Sequence, residues 1–192
     1  LKFNDGDTGY LGKTFGSSGN RRLWTFSAWV KVSQISSDMC FFQSGTFGSG
    51  EFWQFNVQAN GGMYVQGRTG STDNTWLYTS NTKFFRDPSA WQHWVVAVDT
   101  TQATAADRIK VWVNGVNETN RWTQTTATQD LETNHNDATE DDLIGKYHTG
   151  SYFQGNLAHY HFIDGTAYDA SYFGEYDNKT IKKTVVLKTK KQ

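Results

Sequence analysis

The sequence is poor in cross-linking residues and has no strong charge of either sign. It contains one cysteine, Cys40, among 192 residues, so an internal disulfide is excluded, and it contains one proline. A chain of this length buries roughly 70% of its unfolded surface and needs neither a disulfide nor a metal to hold a core. Eighteen Lys and Arg against nineteen Asp and Glu give a net charge of −1. This balance lacks the basic excess that nucleic-acid binding normally uses, so no nucleic-acid partner is expected.

Long apolar runs are also missing. No window approaches the about 18 consecutive apolar residues of a membrane-spanning helix. Residues 1–6 lack the basic-then-apolar order of a signal peptide. We therefore expect a soluble domain that does not insert into a membrane.

Aromatic residues, by contrast, are abundant. Eight Trp, nine Tyr and thirteen Phe make up 16% of the chain. Large rings fit the pleated surface of β-sheets, and they also stack on sugars. The sequence therefore predicts extensive sheet packing, ligand recognition by aromatic side chains, or both.

Apolar residues alternate with other residues wherever a period can be read. Residues 24–32 carry Trp, Phe, Ala, Val and Val at every second position, and residues 52–58 and 109–113 repeat this pattern. Period two is typical of β-strands, and no segment shows a sustained helical stripe. Residues 103–107 and 169–173 are each long enough for a helical turn only.

Turn-forming residues separate these strands. Asn114-Gly115 is the sharpest signal, because a type I′ hairpin turn needs positive φ at both central residues. Many short strands with close turns predict an all-β fold made of a two-sheet antiparallel sandwich, with a barrel as the alternative.

The last fourteen residues differ in charge from the rest. Residues 179–192 contain six lysines and no acid, which leaves 12 basic and 19 acidic residues in 1–178, a net charge of −7. We therefore divide the chain into a β-sandwich over 1–178 and a basic C-terminal tail or edge strand over 179–192. Lysines on an exposed edge strand discourage its pairing with other chains, which fits an edge strand in this segment. The alternative is that the basic tail docks on an acidic neighbouring subunit.

Four segments, in order along the chain, resemble a known family. Residues 90–99 carry a Trp-x-His strand, residues 109–115 a Val-Asn-Gly hairpin, and residues 1–11 and 143–165 match the opening and closing strands. Together they resemble laminin G-like domains of the concanavalin A-like lectin/glucanase superfamily, over about residues 1–175. The resemblance implies a two-sheet antiparallel jelly-roll sandwich.

A narrower resemblance concerns three short segments. Residues 20–27, 85–91 and 161–165 look like the versions found in virion proteins of marine bacteriophages, where they occur in tail fibres and other surface proteins. This resemblance implies a location on the virion surface, in an oligomer with other virion protein subunits. It also implies a host surface glycan as partner.

Several aromatic residues stand on otherwise polar strand faces or near predicted loops. The candidate ligand-binding residues are Trp29, Phe52, Trp76, Tyr78, Trp112 and Trp122. A flat ring bordered by Asn and Gln is the composition of a sugar platform, in which apolar faces stack and amides bind hydroxyls. The alternative is that these rings cover a second core layer or a subunit interface.

Acidic residues cluster in one predicted loop. Asp137, Glu140, Asp141 and Asp142 are dense enough to bind calcium through loop carboxylates, so calcium is the candidate cofactor. Solvated loop acids are the alternative.

Catalytic motifs are absent from the sequence. Glucanases on this fold carry paired carboxylates on one strand as Glu-x-Asp-x-Glu or Glu-x-Asp-x-x-Glu, and none of the five glutamates begins such a motif. We therefore expect a non-enzymatic module. A polysaccharide-degrading glycoside hydrolase and a purely structural assembly domain are the alternatives.

Three further residues are expected inside the fold. Trp91 and His93 share one face of a predicted central strand, with His93 as a structural, hydrogen-bonded side chain. Cys40, among apolar neighbours, is expected to be buried rather than reactive.

Overall fold

The computed structural model describes residues 1–35, 37–46, 50–69, 76–80, 84–85, 87–147, 150–176 and 185–187. For residues 5, 46, 76–80, 121–124, 175–176 and 185–187 only the backbone is described. The strands are β1 (Lys2–Phe3), β2 (Leu11–Thr14), β3 (Leu23–Val32), β4 (Met39–Thr46), β5 (Glu51–Val57), β6 (Met63–Arg68), β7 (Trp76–Ser80), β8 (Gln92–Asp99), β9 (Ile109–Val113), β10 (Val116–Asn117), β11 (Trp122–Thr125), β12 (Asp141–Ile144), β13 (Gly155–Asp164), β14 (Gly174–Tyr176) and β15 (Val185–Leu187). Short 3-10 helices span Asp5–Asp7, Ala105–Asp107, Thr119–Arg121 and Ala170–Tyr172.

Two antiparallel sheets form the body of the protein. The six-stranded sheet has the order β1-β13-β3-β8-β9-β10, and the seven-stranded sheet has the order β11-β7-β6-β5-β4-β12-β2. The predicted all-β, two-sheet antiparallel sandwich is confirmed. Strands that are distant in sequence pair with each other, as β1 does with β13, so the order of the strands is not their order in the chain.

The core lies between the sheets and is built from the alternating residues. Trp24 and Phe26 from the six-stranded sheet and Trp53 and Phe55 from the seven-stranded sheet are all 0% exposed. Trp24 and Trp53 meet edge to face, with ring centroids 4.9 Å apart. Such pairs add to the stabilisation that area burial alone provides, so the aromatic excess is used largely in the core.

The outer face of the six-stranded sheet is covered as well. Residues 166–173, which follow β13, cross it: the Thr25 hydroxyl donates to the carbonyl of Thr166 at 2.6 Å, and the Tyr168 amide donates to the same hydroxyl at 2.8 Å. A second cluster of buried apolar side chains, Val95, Ala170 and Phe173, forms beneath this segment. Polar positions on this face are therefore buried too.

The predicted turns are present. Asn114 and Gly115 have φ of +50° and +78°, and they connect β9 to β10 in a tight hairpin. The 3-10 helices Ala105–Asp107 and Ala170–Tyr172 lie within the two segments expected to form single turns.

The expectation that Trp91 is buried is wrong. Trp91 precedes β8 and is 42% exposed, whereas Trp94 is 0% exposed. Along β8 the even positions face the core, so Trp91 and His93 belong to the outer face, and the cover formed by residues 166–173 buries only His93. The predicted burial of His93 is confirmed at 1% exposure, and Cys40 is also buried at 1%.

The C-terminal segment contributes one short strand. β15 pairs antiparallel with β14 in a separate two-stranded sheet, and it does not extend either main sheet. The rest of 179–192 lies outside the described residues. In the part of the chain that the structure describes, no helix has the length and apolar character needed to cross a membrane.

Candidate functional site

A cleft of about 580 Å³ opens on the outer face of the six-stranded sheet, beside the segment that covers it. It is lined by Ala97, Asp99, Gln102, Asp107, Lys110, Trp112, Asn117, Ala167 and Asp169. Six separate parts of the chain contribute these residues: β8, the turn after it, the 3-10 helix Ala105–Asp107, β9, β10 and the segment after β13. The size lies within the usual range of ligand pockets.

Trp112 reaches this cleft because of strand alternation. In β9, Ile109, Val111 and Val113 are buried against the core, so Lys110 and Trp112 project to the opposite face. The indole of Trp112 is partly buried, because it packs against the cluster beneath residues 166–173 while also lining the cleft. Trp112 therefore fits both roles that the sequence left open: it packs in a second core layer, and part of its ring forms a wall of the cleft.

Register places the other groups around Trp112. Trp112 pairs with Asn117 on β10, and Lys110 pairs with Ala97 on β8. Ala97 leaves room above the sheet that a larger side chain would fill. Because the Asn114-Gly115 hairpin pairs β10 with β9, it brings the side-chain amide of Asn117 beside the indole of Trp112.

Three carboxylates surround the cleft, each with defined partners. Asp99 accepts hydrogen bonds from the Thr101 hydroxyl at 2.5 Å and from Nε2 of Gln102 at 2.6 Å. Asp107 lies 3.0 Å from the ammonium of Lys110. Asp169 caps the following 3-10 helix by accepting from the amide of Ser171 at 2.8 Å. These contacts orient the carboxylates while leaving oxygen lone pairs available to a ligand.

Asp99 is held in its ionised form. Partial burial acts to raise the pKa of its carboxyl, but the hydrogen bonds from Thr101 and Gln102 outweigh burial and lower the pKa below its ordinary value. Asp99 is therefore an acceptor near neutral pH and does not supply a proton.

Of the other predicted aromatic residues, the two whose side chains the structure describes, Trp29 and Phe52, do not line this cleft. Trp29 is partly buried, and its ring stacks on His93 with centroids 5.2 Å apart. Phe52 is 1% exposed, so its ring offers no face to solvent. For the remaining three the structure describes the backbone: Trp76 pairs with Gly67, Tyr78 with Val65, and Trp122 with Ser80.

The acidic residues predicted to bind calcium point to separate partners. Asp137 lies 2.7 Å from the Arg21 guanidinium, and Asp141 accepts a hydrogen bond from Thr14. Asp142 is 8% exposed, with Oδ1 2.9 Å from Nδ1 of His135 but without the alignment of a hydrogen bond.

Glu140, the fourth acidic residue predicted to bind calcium, is partly buried. Calcium takes six to eight oxygen ligands that converge on one point. Among the residues that the structure describes, no three His, Cys, Asp or Glu side chains form such a group. Calcium binding stays a prediction from the sequence.

A second cavity, of about 310 Å³, lies where β2 and β12 approach β13. Leu11, Phe15, Ile144, Tyr160 and Phe162 are among the residues that line it. This lining offers fewer polar groups for binding hydroxyls than the cleft beside Trp112. We therefore take the cleft as the candidate site.

Sequence reasoning identified Trp112 and missed its neighbours. Asp99, Gln102 and Asp169 are distant from Trp112 in the chain, and only the strand order brings them together. A weak signal existed for two others, since Lys110 and Asn117 flank the Asn114-Gly115 turn on the face that carries Trp112.

Comparison with known proteins gives one family and many structural likenesses. The family described as the concanavalin A-like lectin/glucanases superfamily matches residues 5–170. A search of curated protein sequences found no match.

Among solved structures, the CBM40 domain of a Ruminococcus gnavus sialidase bound to α2,3-sialyllactose is 13% identical with a TM-score of 0.56, covering 85% of this chain and 95% of that one. Domain 4 of the Geobacillus stearothermophilus arabinanase AbnA, in complex with arabinotriose, is 21% identical with a TM-score of 0.55, covering 80% and 65%. A heptameric pentraxin from Limulus polyphemus is 13% identical with a TM-score of 0.52, covering 80% and 68%. At these identities the likeness establishes the fold alone.

Proposed function

The chain belongs to the concanavalin A-like lectin/glucanase superfamily, and on that premise we propose that it is a non-enzymatic carbohydrate-binding domain whose cleft beside Trp112 holds a sugar. The observation that carries the proposal is a partly buried indole that lines one cleft together with Asn117, Gln102 and Asp99. An indole stacks on the apolar C–H face of a sugar ring, while amides and carboxylates bind its hydroxyls. Sugar-bound structures of CBM40 and of the AbnA domain support the same class of ligand.

Hydrolysis is the competing function, since three carboxylates line the cleft. A glycosidase needs a general acid that still holds a proton near neutral pH, which an apolar surrounding provides. Here Asp99 has a lowered pKa. Asp107 is paired with Lys110, and Asp169 accepts two hydrogen bonds from Ser171. These surroundings support binding over catalysis.

The test compares two Trp-to-Ala variants in a binding assay. Wild-type protein is screened on a glycan array, and affinities for the ligands found are measured by isothermal titration calorimetry. Trp112→Ala should weaken binding at least tenfold, because it removes the stacking wall. Trp91→Ala is the matched control, since Trp91 is 42% exposed and does not line the cleft.

Two outcomes would contradict the proposal. Equal affinities in both variants, with both folded by circular dichroism, would move the sugar site elsewhere. Release of reducing ends from any bound glycan, abolished by Asp99→Asn, would assign the cleft to hydrolysis.

The biological setting is a further part of the proposal and rests on sequence resemblance. Residues 20–27, 85–91 and 161–165 resemble segments of phage virion proteins, and they support a tail, fibre or decoration module that touches host glycans. An oligomer with other virion subunits is the expected partner set. Mass spectrometry of purified particles tests this location, and absence of the protein from them would refute it.

A further inference from the structure

We propose that the cleft selects neutral or amino sugars and rejects sugars that carry carboxylate or sulfate groups. This inference rests on the proposed function, because it names the class of glycan that the same cleft takes. It follows from the charges around the cleft and from the bonds that already occupy them.

The charges that line the cleft have an acidic excess. Asp99, Asp107 and Asp169 are opposed by one cation, Lys110. The Lys110 ammonium is already 3.0 Å from Asp107, with the two side chains 39% and 47% exposed. Lys110 is therefore engaged with a carboxylate of this chain rather than directed at a ligand.

Arg108, which lies between the cleft residues Asp107 and Lys110 in the sequence, is also engaged. Arg108 does not line the cleft, and its guanidinium donates to the carbonyls of Gln102, Ala103 and Ala127 at 2.8, 3.0 and 2.7 Å. Arginine binds an acidic sugar by presenting its parallel N–H groups to a carboxylate or sulfate. Because the backbone uses these donors, the described residues at the cleft present no such pair of arginine N–H groups.

The remaining groups match sugar hydroxyls. An ionised carboxylate is only an acceptor, and a sugar hydroxyl is a donor that it can bind. An ammonium group on an amino sugar would gain a charge-assisted hydrogen bond at the same oxygens. An acidic group would instead bring like charges together in a partly desolvated cleft, where their repulsion is stronger than in bulk water.

The experiment uses glycans that share a core and differ in one charged group. Lactose is compared with 3′-sialyllactose and lactose 3′-sulfate, and N-acetylated chitotriose with its deacetylated form, alongside the array used above. Among the lactose glycans, we expect the acidic members to bind at least about fivefold more weakly than lactose, and we expect deacetylated chitotriose, which carries ammonium groups, to bind at least as tightly as its N-acetylated form. Raising NaCl from 0.05 to 0.5 M should narrow this gap, because salt screens repulsion at the surface.

A single substitution tests the cause. Asp107→Asn removes one negative charge and frees Lys110, so the affinity for acidic members, relative to that for their neutral counterparts, should rise several-fold. Asp130→Asn is the matched control: Asp130 is 57% exposed, lies 3.9 Å from Arg22 and does not line the cleft.

Failure of the inference and failure of the proposed function are distinguishable. Binding of acidic members as tightly as neutral ones, with Trp112→Ala still abolishing it, would overturn the charge selection and leave the sugar site standing. Absence of any glycan binding, or glycan binding that Trp112→Ala leaves unchanged, would overturn both the charge selection and the proposed sugar site.

Discussion

Acidification from pH 7 to pH 5 should destabilise the domain, because His93 is buried as a neutral ring. His93 is 1% exposed, its Nε2 lies 2.9 Å from the Ser27 hydroxyl, and its ring stacks on Trp29. Burial, followed by the nearby charges of His161 and His159, lowers the pKa of His93 from 6.5 to about 4. No carboxylate partner compensates a charge on this ring among the interactions described for it.

The sign and size of the effect follow from linkage. The unfolded chain binds a proton at His93 near pH 6.5, whereas the folded protein resists it until about pH 4. The contribution to stability is therefore complete above pH 6.5 and is lost as the pH falls toward 4. The difference between the two pKa values corresponds to about 3 kcal/mol in full, of which about 2 kcal/mol is lost between pH 7 and pH 5.

Urea denaturation at pH 7, 6 and 5 measures this loss directly. His93→Gln keeps a hydrogen-bonding group beside Ser27 and removes the titration, so its free energy of unfolding should vary less with pH than that of the wild type. His159→Gln, at an exposed histidine, removes one of the two charges that lower the pKa of His93 and keeps the His93 titration, so it should reduce the wild-type slope less than His93→Gln does.

Other titrating groups also contribute to the dependence of stability on pH. His161, whose pKa is also lowered by burial and by His159, leaves a residual slope of the same sign in the His93 variant. The carboxylates with lowered pKa values titrate below the window of pH 5 to 7. A His93→Gln variant with the same pH slope as the wild type would refute the reasoning.

Three further experiments test the packing around Trp94, Gly155 and Cys40. Trp94→Ala should cost about 3 to 5 kcal/mol and Trp91→Ala less than about 1 kcal/mol in urea denaturation, because Trp94 is 0% and Trp91 42% exposed; similar costs would contradict the assigned faces of β8. Gly155→Ala should cost about 1 to 3 kcal/mol, since the added Cβ would clash with the backbone carbonyl of Lys31 on the neighbouring strand, while Gly16→Ala, with nothing within 4 Å, should be close to neutral. Cys40, whose pKa burial raises to about 12, should react with a disulfide reagent at least about 100-fold more slowly in the native protein than in urea; comparable rates would mean that the thiol is accessible.

Local physical chemistry made the fold class predictable from the sequence. Alternation in residues 24–32 predicts a strand with Trp24 and Phe26 on one face, because successive side chains of a strand point to opposite sides. Asn114-Gly115 predicts its hairpin, because both residues tolerate positive φ. These properties depend on near neighbours in the chain, so a sequence displays them without tertiary contacts.

Tertiary structure alone decided which faces are buried and where the cleft forms. Alternation suggests that Thr25 and Ser27 face solvent or a partner, yet the segment after β13 returns across them and buries them. The cleft depends on the same return, because Asp169 joins Trp112 only where that segment meets β9. Pairing between distant strands and the path of a crossing segment are settled by the packing of the whole chain, so no periodicity within a single strand displays them.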